Sequence, residues 1–148
     1  MKPPHIYFAL AISTSCHAAP DKVAYELQER CGKQVSIEFK REFGSPGTPT
    51  TRSGMTSLYN YQSHYNSRLN SCMYLVRAIG FKAVKSRKPD ESTGSFEMQT
   101  LYDFNENREL GSFHKFLDAP KPMLCQVGSK YCTSKEEWDM LIKPYIED

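Results

Sequence analysis

The sequence has no excess of either charge, no long apolar run and no closely spaced cysteine pair, and each shortfall excludes something. Nineteen Lys and Arg stand against 17 Asp and Glu, for a net charge of +2. Lys2 is the only charged residue among the first nineteen, so the remainder balances 18 basic against 17 acidic residues. A dedicated nucleic-acid binder draws most of its affinity from neutralised phosphates, and this balance does not supply it. No apolar run reaches the roughly 18–20 residues that cross a bilayer as a helix. The C-x2-4-C spacing of a zinc site is absent, and so is the C-x-x-C of a thiol redox centre. There is no G-x-S-x-G elbow. Gly44-Ser45-Pro46-Gly47 lacks the Lys and the strand–helix setting of a phosphate loop. No internal repeat is visible, and no metal, cofactor or catalytic residue is assigned.

What is present is a chain of 148 residues, 39% hydrophobic and 12% aromatic, too apolar to stay disordered and of a length that suits one domain. Its first residues read as an address. Met1-Lys2-Pro3-Pro4-His5 is a short basic start, Ile6 to Ile12 is apolar, and Ser13 to Pro20 is small and polar. That is the layout of a secretory signal peptide, with cleavage expected after Ala18. This divides the chain into a leader, 1–18, and a mature domain, 19–148. Two other readings of the segment are a first buried strand and a lipoprotein signal with its anchor at Cys16. Pro3-Pro4 speaks against the strand. Ser13, standing where a lipobox carries an aliphatic residue, speaks against the anchor.

Removing the leader leaves Cys31, Cys72, Cys125 and Cys132, an even count that reads as two disulfides in an exported protein. Three pairings are possible. The expected one is Cys31–Cys72 with Cys125–Cys132, the second closing a short loop that turns at Gly128.

Asp21 to Phe43 carries Val23, Leu27, Cys31, Val35, Phe39 and Phe43 at a spacing of four. This predicts a helix whose apolar stripe drifts by about 40° per step, capped by Gly44. Gly44 to Met55 reads as a loop. Cys72-Met73-Tyr74-Leu75-Val76 is apolar on both faces, as in a central strand, and Gly80 is expected to end or bulge it. Lys82 to Glu91 is charged, contains Pro89, and reads as a solvated connection. Ser95 to Phe104 alternates Phe96, Met98, Thr100, Tyr102 and Phe104 against Glu97, Gln99 and Asp103, which predicts a half-buried strand. Asn105 to Arg108 is a turn, and Glu109 to Leu117 returns as a third strand. Ser134 with Glu137 has the form of a capping box ahead of a last helix that buries Trp138, Leu141, Ile142 and Tyr145. The fold class is α+β: a three-stranded or slightly larger antiparallel sheet packed by an N-terminal and a C-terminal helix, with one face covered by both.

The stretch from Tyr61 to Leu75 contains Y-x-x-H-Y-N-x-x-L-N-x-C-x-Y. It resembles small exported bacterial proteins of uncharacterised function. The resemblance implies a bacterial exported protein with paired cysteines, and it carries no activity.

The most unusual local composition is Tyr59, Tyr61, His64, Tyr65, Asn66, Arg68 and Asn70. Tyr and Arg supply contact area and hydrogen bonds at interfaces. Tyr59, Tyr61, His64, Tyr65 and Arg68 are therefore the candidate partner-binding residues, suited to a protein, peptide or glycan of the cell envelope. The same residues also read as rings packed on a sheet edge and amides satisfying turns. His64 and His114 are of the type that acts as a general base, and Asp103, Glu106 and Glu109 cluster at one turn. The basic run Lys82, Lys85, Arg87 and Lys88 reads as solvated. The leading expectation is a binding module without catalysis. The alternatives are a small envelope hydrolase using a His with a carboxylate, and a structural or stress-associated periplasmic protein with no discrete site.

Overall fold

The structure, a computed structural model, describes residues 22–82 and 94–147. The expected leader, and Lys85, Arg87 and Lys88 of the basic run, lie outside the described residues.

Helix α1 spans Lys22–Phe43 and buries Cys31, Val35 and Phe39, three consecutive members of the expected stripe. Val23, at the start of the row, is 58% exposed. The stripe rotates off the sheet while the helix stays unbroken, because a spacing of four overshoots one full turn by about 40°. Gly44 stops the helix with φ +83°, its N–H bonded to the Lys40 carbonyl at 3.1 Å. A side chain is strained in that conformation, so glycine suits the position.

Seven strands follow, each hydrogen-bonded to the next and all antiparallel: β1 (Pro49–Arg52), β2 (Met55–Asn66), β3 (Ser71–Lys82), β4 (Phe96–Asp103), β5 (Arg108–Phe116), β6 (Leu124–Val127) and β7 (Lys130–Tyr131). The sheet is thus larger than the expected three strands. The segment read as a loop contributes β1, which turns into β2 through Ser53 (φ 52°) and Gly54 (φ 77°). Two consecutive positive-φ residues are what a tight hairpin demands. The polar stretch before Cys72 forms all of β2, paired along its length with β3. The Cys125–Cys132 segment becomes the β6–β7 hairpin. Helix α2 (Lys135–Ile146) closes the described chain, its first turn capped by Ser134 Oγ accepting the Glu137 N–H at 3.2 Å. Glu137 Oε2 accepts the Thr133 N–H in return, at 2.6 Å. Pro144 lies inside α2, and the helix continues to Ile146.

The two helices cover opposite faces of the sheet, which corrects the one-sided arrangement. Successive strand residues point to opposite faces, and β3 divides between two cores accordingly. Cys72, Tyr74 and Val76 pack with α1 residues Cys31, Val35 and Phe39. Met73 and Leu75 pack with Leu101, Phe113, Val127 and the α2 residues Trp138 and Ile142. The polar side of β4 is likewise covered. Gln99 is buried, and its Oε1 accepts the indole N–H of Trp138 at 3.0 Å. The Cys31–Cys72 disulfide ties α1 to β3, and Cys125–Cys132 ties β6 to the segment entering α2. Both expected pairings are present. Gly80 neither ends nor bulges β3. A Cβ there would fall 2.2 Å from Phe96 Cε1, so its missing side chain makes room for that ring.

Candidate functional site

The five residues singled out in the sequence do not form one surface. Tyr59, Tyr61 and Tyr65 share the α1 face of β2 and are half-buried there. Tyr59 stacks on Phe43 with ring centres 4.7 Å apart, and Tyr61 lies 4.5 Å from Phe39. Tyr65 donates its hydroxyl to Asn70 Oδ1 at 2.6 Å, and its backbone N–H is taken by Gln28 Oε1 of α1 at 2.6 Å. Strand alternation puts His64 on the opposite face, across from Met73. Arg68 sits in the β2–β3 turn and lines a separate cavity of about 530 Å³ with Leu69, Lys130, Leu141 and Tyr145. Asn66 is fully buried. Its amide donates to the carbonyls of Pro144 and Tyr145 at 2.9 and 3.2 Å, and its Oδ1 accepts the Leu69 N–H at 3.0 Å.

The residues weighed for catalysis are also apart or occupied. His114 lies between the rings of Phe96 and Phe116, 5.5 and 5.6 Å away. Asp103 Oδ1 accepts from the Ser71 hydroxyl at 2.5 Å and from the N–H groups of Asn105 and Glu106 at 3.1 and 3.2 Å. That carboxylate fixes the β4–β5 turn. Among the described residues, no three His, Cys, Asp or Glu converge as a metal site.

The arrangement with most chemistry lies under the C-terminal half of α1. Cross-strand pairing sets Tyr74 of β3 beside Tyr102 of β4. Phe104 follows on the same face. The Tyr74 and Tyr102 rings are 5.9 Å apart and tilted by 32°, while Phe104 stands nearly perpendicular to Tyr74 at 6.2 Å. Three rings therefore make a floor and an upright wall. Glu38, Arg41 and Glu42 on α1 form the opposite wall of a groove of about 460 Å³. Arg41 pairs with Glu38. Glu42 has no ion pair among the described residues.

Tyr74 is the telling member. It is 4% exposed, and its hydroxyl has no hydrogen-bond partner among the described residues. Burial holds that hydroxyl far above the ordinary phenol range, and the Glu42 and Glu38 charges push it the same way. Burial also raises Tyr102, with Glu109 and Glu42 adding to the shift. The floor of this groove thus feels negative charge and holds a polar group that lacks a mate.

Of the groove residues, only Asp103 was weighed in the sequence, as one of three carboxylates at a turn. The signal was divided. Tyr102 and Phe104 were legible as one face of a strand, and Tyr74 as part of a central strand. Only the packing of α1 over β2 and β3 brings its Glu38–Glu42 edge beside the rings of β4. Against known protein families, curated proteins and solved structures, the chain matches no family model, no curated protein and no solved structure.

Proposed function

We propose that the protein is an exported, disulfide-stapled binding module of a bacterial envelope that seats a partner in the groove under α1. The carrying observation is Tyr74, a groove-lining residue whose buried hydroxyl has no hydrogen bond among the described residues. A group left in that state costs about 1–3 kcal/mol, and a bound partner can supply the missing bond. A concave site with aromatic lining and a few polar groups is the usual form of a binding pocket. Two disulfides suit an oxidising compartment. The leader-like segment 1–18 and the resemblance to exported bacterial proteins support the same location.

Two measurements test this reading. The intact mass of protein isolated from its own envelope should correspond to a start near Ala19, with no thiol labelled before reduction. A retained Met1 or free thiols would overturn the location. A photo-reactive p-benzoylphenylalanine placed at Arg41, on the groove rim, should cross-link a partner in intact cells. The same group at Lys33, elsewhere on α1 and exposed, should not. Equal labelling from both positions, or none from Arg41, would overturn the groove as the binding site.

A further inference from the structure

We infer that the groove takes an organic cation: an ammonium group, carried by a free amine or by a lysine side chain of a partner peptide. The inference rests on the reading of the groove as the binding site and adds the chemistry of its ligand.

Three features favour a cation. First, Tyr74, Tyr102 and Phe104 meet as a corner, two rings inclined by 32° and the third at 82° to Tyr74. Ring faces carry negative partial charge and attract an ammonium within about 6 Å of their centres. Second, the helix wall sets Glu38 and Glu42 one turn apart along the same groove. Arg41 is tied to Glu38, so the three charges sum to minus one, with the Glu42 carboxylate left for a ligand. Third, the buried hydroxyl of groove-lining Tyr74 has no partner among the described residues, and its oxygen is of the kind that accepts an ammonium N–H. A carboxylate or phosphate would meet the Glu42 charge with only Arg41, already engaged, to answer it. The contrast with the cavity at Arg68 and Lys130 is one of sign, since that cavity is lined by two basic residues.

The experiment is an NMR titration of the full mature, oxidised protein, following the backbone signals of Glu42, Tyr102 and Phe104. The probes are spermidine and a lysine with both termini blocked. The controls are acetate and N-acetylglucosamine. The ammonium probes should move these signals saturably, and Glu42→Gln should weaken binding by about three- to tenfold. Raising the salt should weaken it further. Glu42 is exposed, so the unchanged remainder of the spectrum will report an intact fold. Tighter binding of spermidine would point to a free amine as the source, and tighter binding of the blocked lysine to a peptide. Movement by N-acetylglucosamine or acetate with none by any ammonium would overturn the cation and leave the groove as the site. Ammonium binding that is indifferent to Glu42→Gln and to salt would also overturn it. Whether the groove itself fails is read separately, from cross-linking at position 41.

Discussion

Replacing Trp138 with Phe tests whether the second core depends on one polar contact. Trp138 of α2 is fully buried, and its indole N–H donates to Gln99 Oε1 at 3.0 Å. Gln99 is 3% exposed and donates its own amide to Glu97 Oε1 at 2.8 Å. Trp138→Phe keeps an aromatic ring against Phe113 but leaves the Gln99 oxygen buried and unpaired. The cost of an orphaned buried acceptor is about 1–3 kcal/mol, and the lost ring volume adds about 1 kcal/mol. Gln99→Met, alone, leaves the indole N–H as the orphan, again about 1–3 kcal/mol. The double variant has neither orphan. It should therefore be less destabilised than the sum of the singles, by about 1–2 kcal/mol. Urea unfolding of the four proteins, followed by circular dichroism, measures this coupling directly. In a chain of this size each kcal/mol also moves the melting temperature by roughly 3–6 °C. Singles that add to the double within about 0.5 kcal/mol would refute the reasoning. They would mean that water, or a shifted Gln99, satisfies these groups without Trp138.

Three further outcomes follow from the geometry. Removing Cys31–Cys72 by paired Ala substitutions should destabilise more than removing Cys125–Cys132. The bridged residues are 41 and 7 apart in sequence, which corresponds to about 4 against about 2.5 kcal/mol in the chain-entropy treatment. Equal losses in denaturant titrations would contradict it. The stability curve should fall as pH rises above about 10, because Tyr74 and Tyr102 stay protonated when folded but ionise once unfolded. Stability is present in full below that pH and is lost as the solution approaches the raised folded values. Tyr74→Phe should flatten this alkaline limb in urea titrations from pH 8 to 11, and an unchanged slope would refute it. Gly111→Ala should cost about 1–3 kcal/mol, since its Cβ would fall 2.7 Å from the Gln126 carbonyl oxygen of the next strand. Gly80→Ala should cost less, because the clash there is with the Phe96 ring, which can swing. Thermal melts of the two variants will rank them, and the reverse order would overturn the assignment.

Both helices, the two disulfides, the β4–β5 hairpin and the α+β class were legible in the residues, because each rests on local pattern. The spacing of Val35 and Phe39 needs a helix. Ser134 and Glu137 need a helix start. An even set of cysteines needs partners. Strand β2 was harder to read. Its alternation sets Tyr59, Tyr61 and Tyr65 against Asn60, Gln62 and His64, with no aliphatic side to mark the buried face. β1 is four exposed residues that owe their extended form to pairing with β2.

The candidate site lay further from the sequence than the fold did. Tyr59, Tyr61 and Tyr65 stood out by composition, but α1 lies over them. Tyr74, Tyr102, Phe104 and Glu42 stood out in no single window. The residues by themselves determined which segments turn, coil and extend, because those choices depend on neighbours a few positions away. Tertiary structure decided which face each helix covers. That choice turned Gln99 from a solvent residue into the partner of Trp138, and it brought the Glu38–Glu42 edge of α1 onto three rings drawn from two strands. Burial and electrostatic field are properties of assembled surfaces, so they exist only once elements distant in sequence have met.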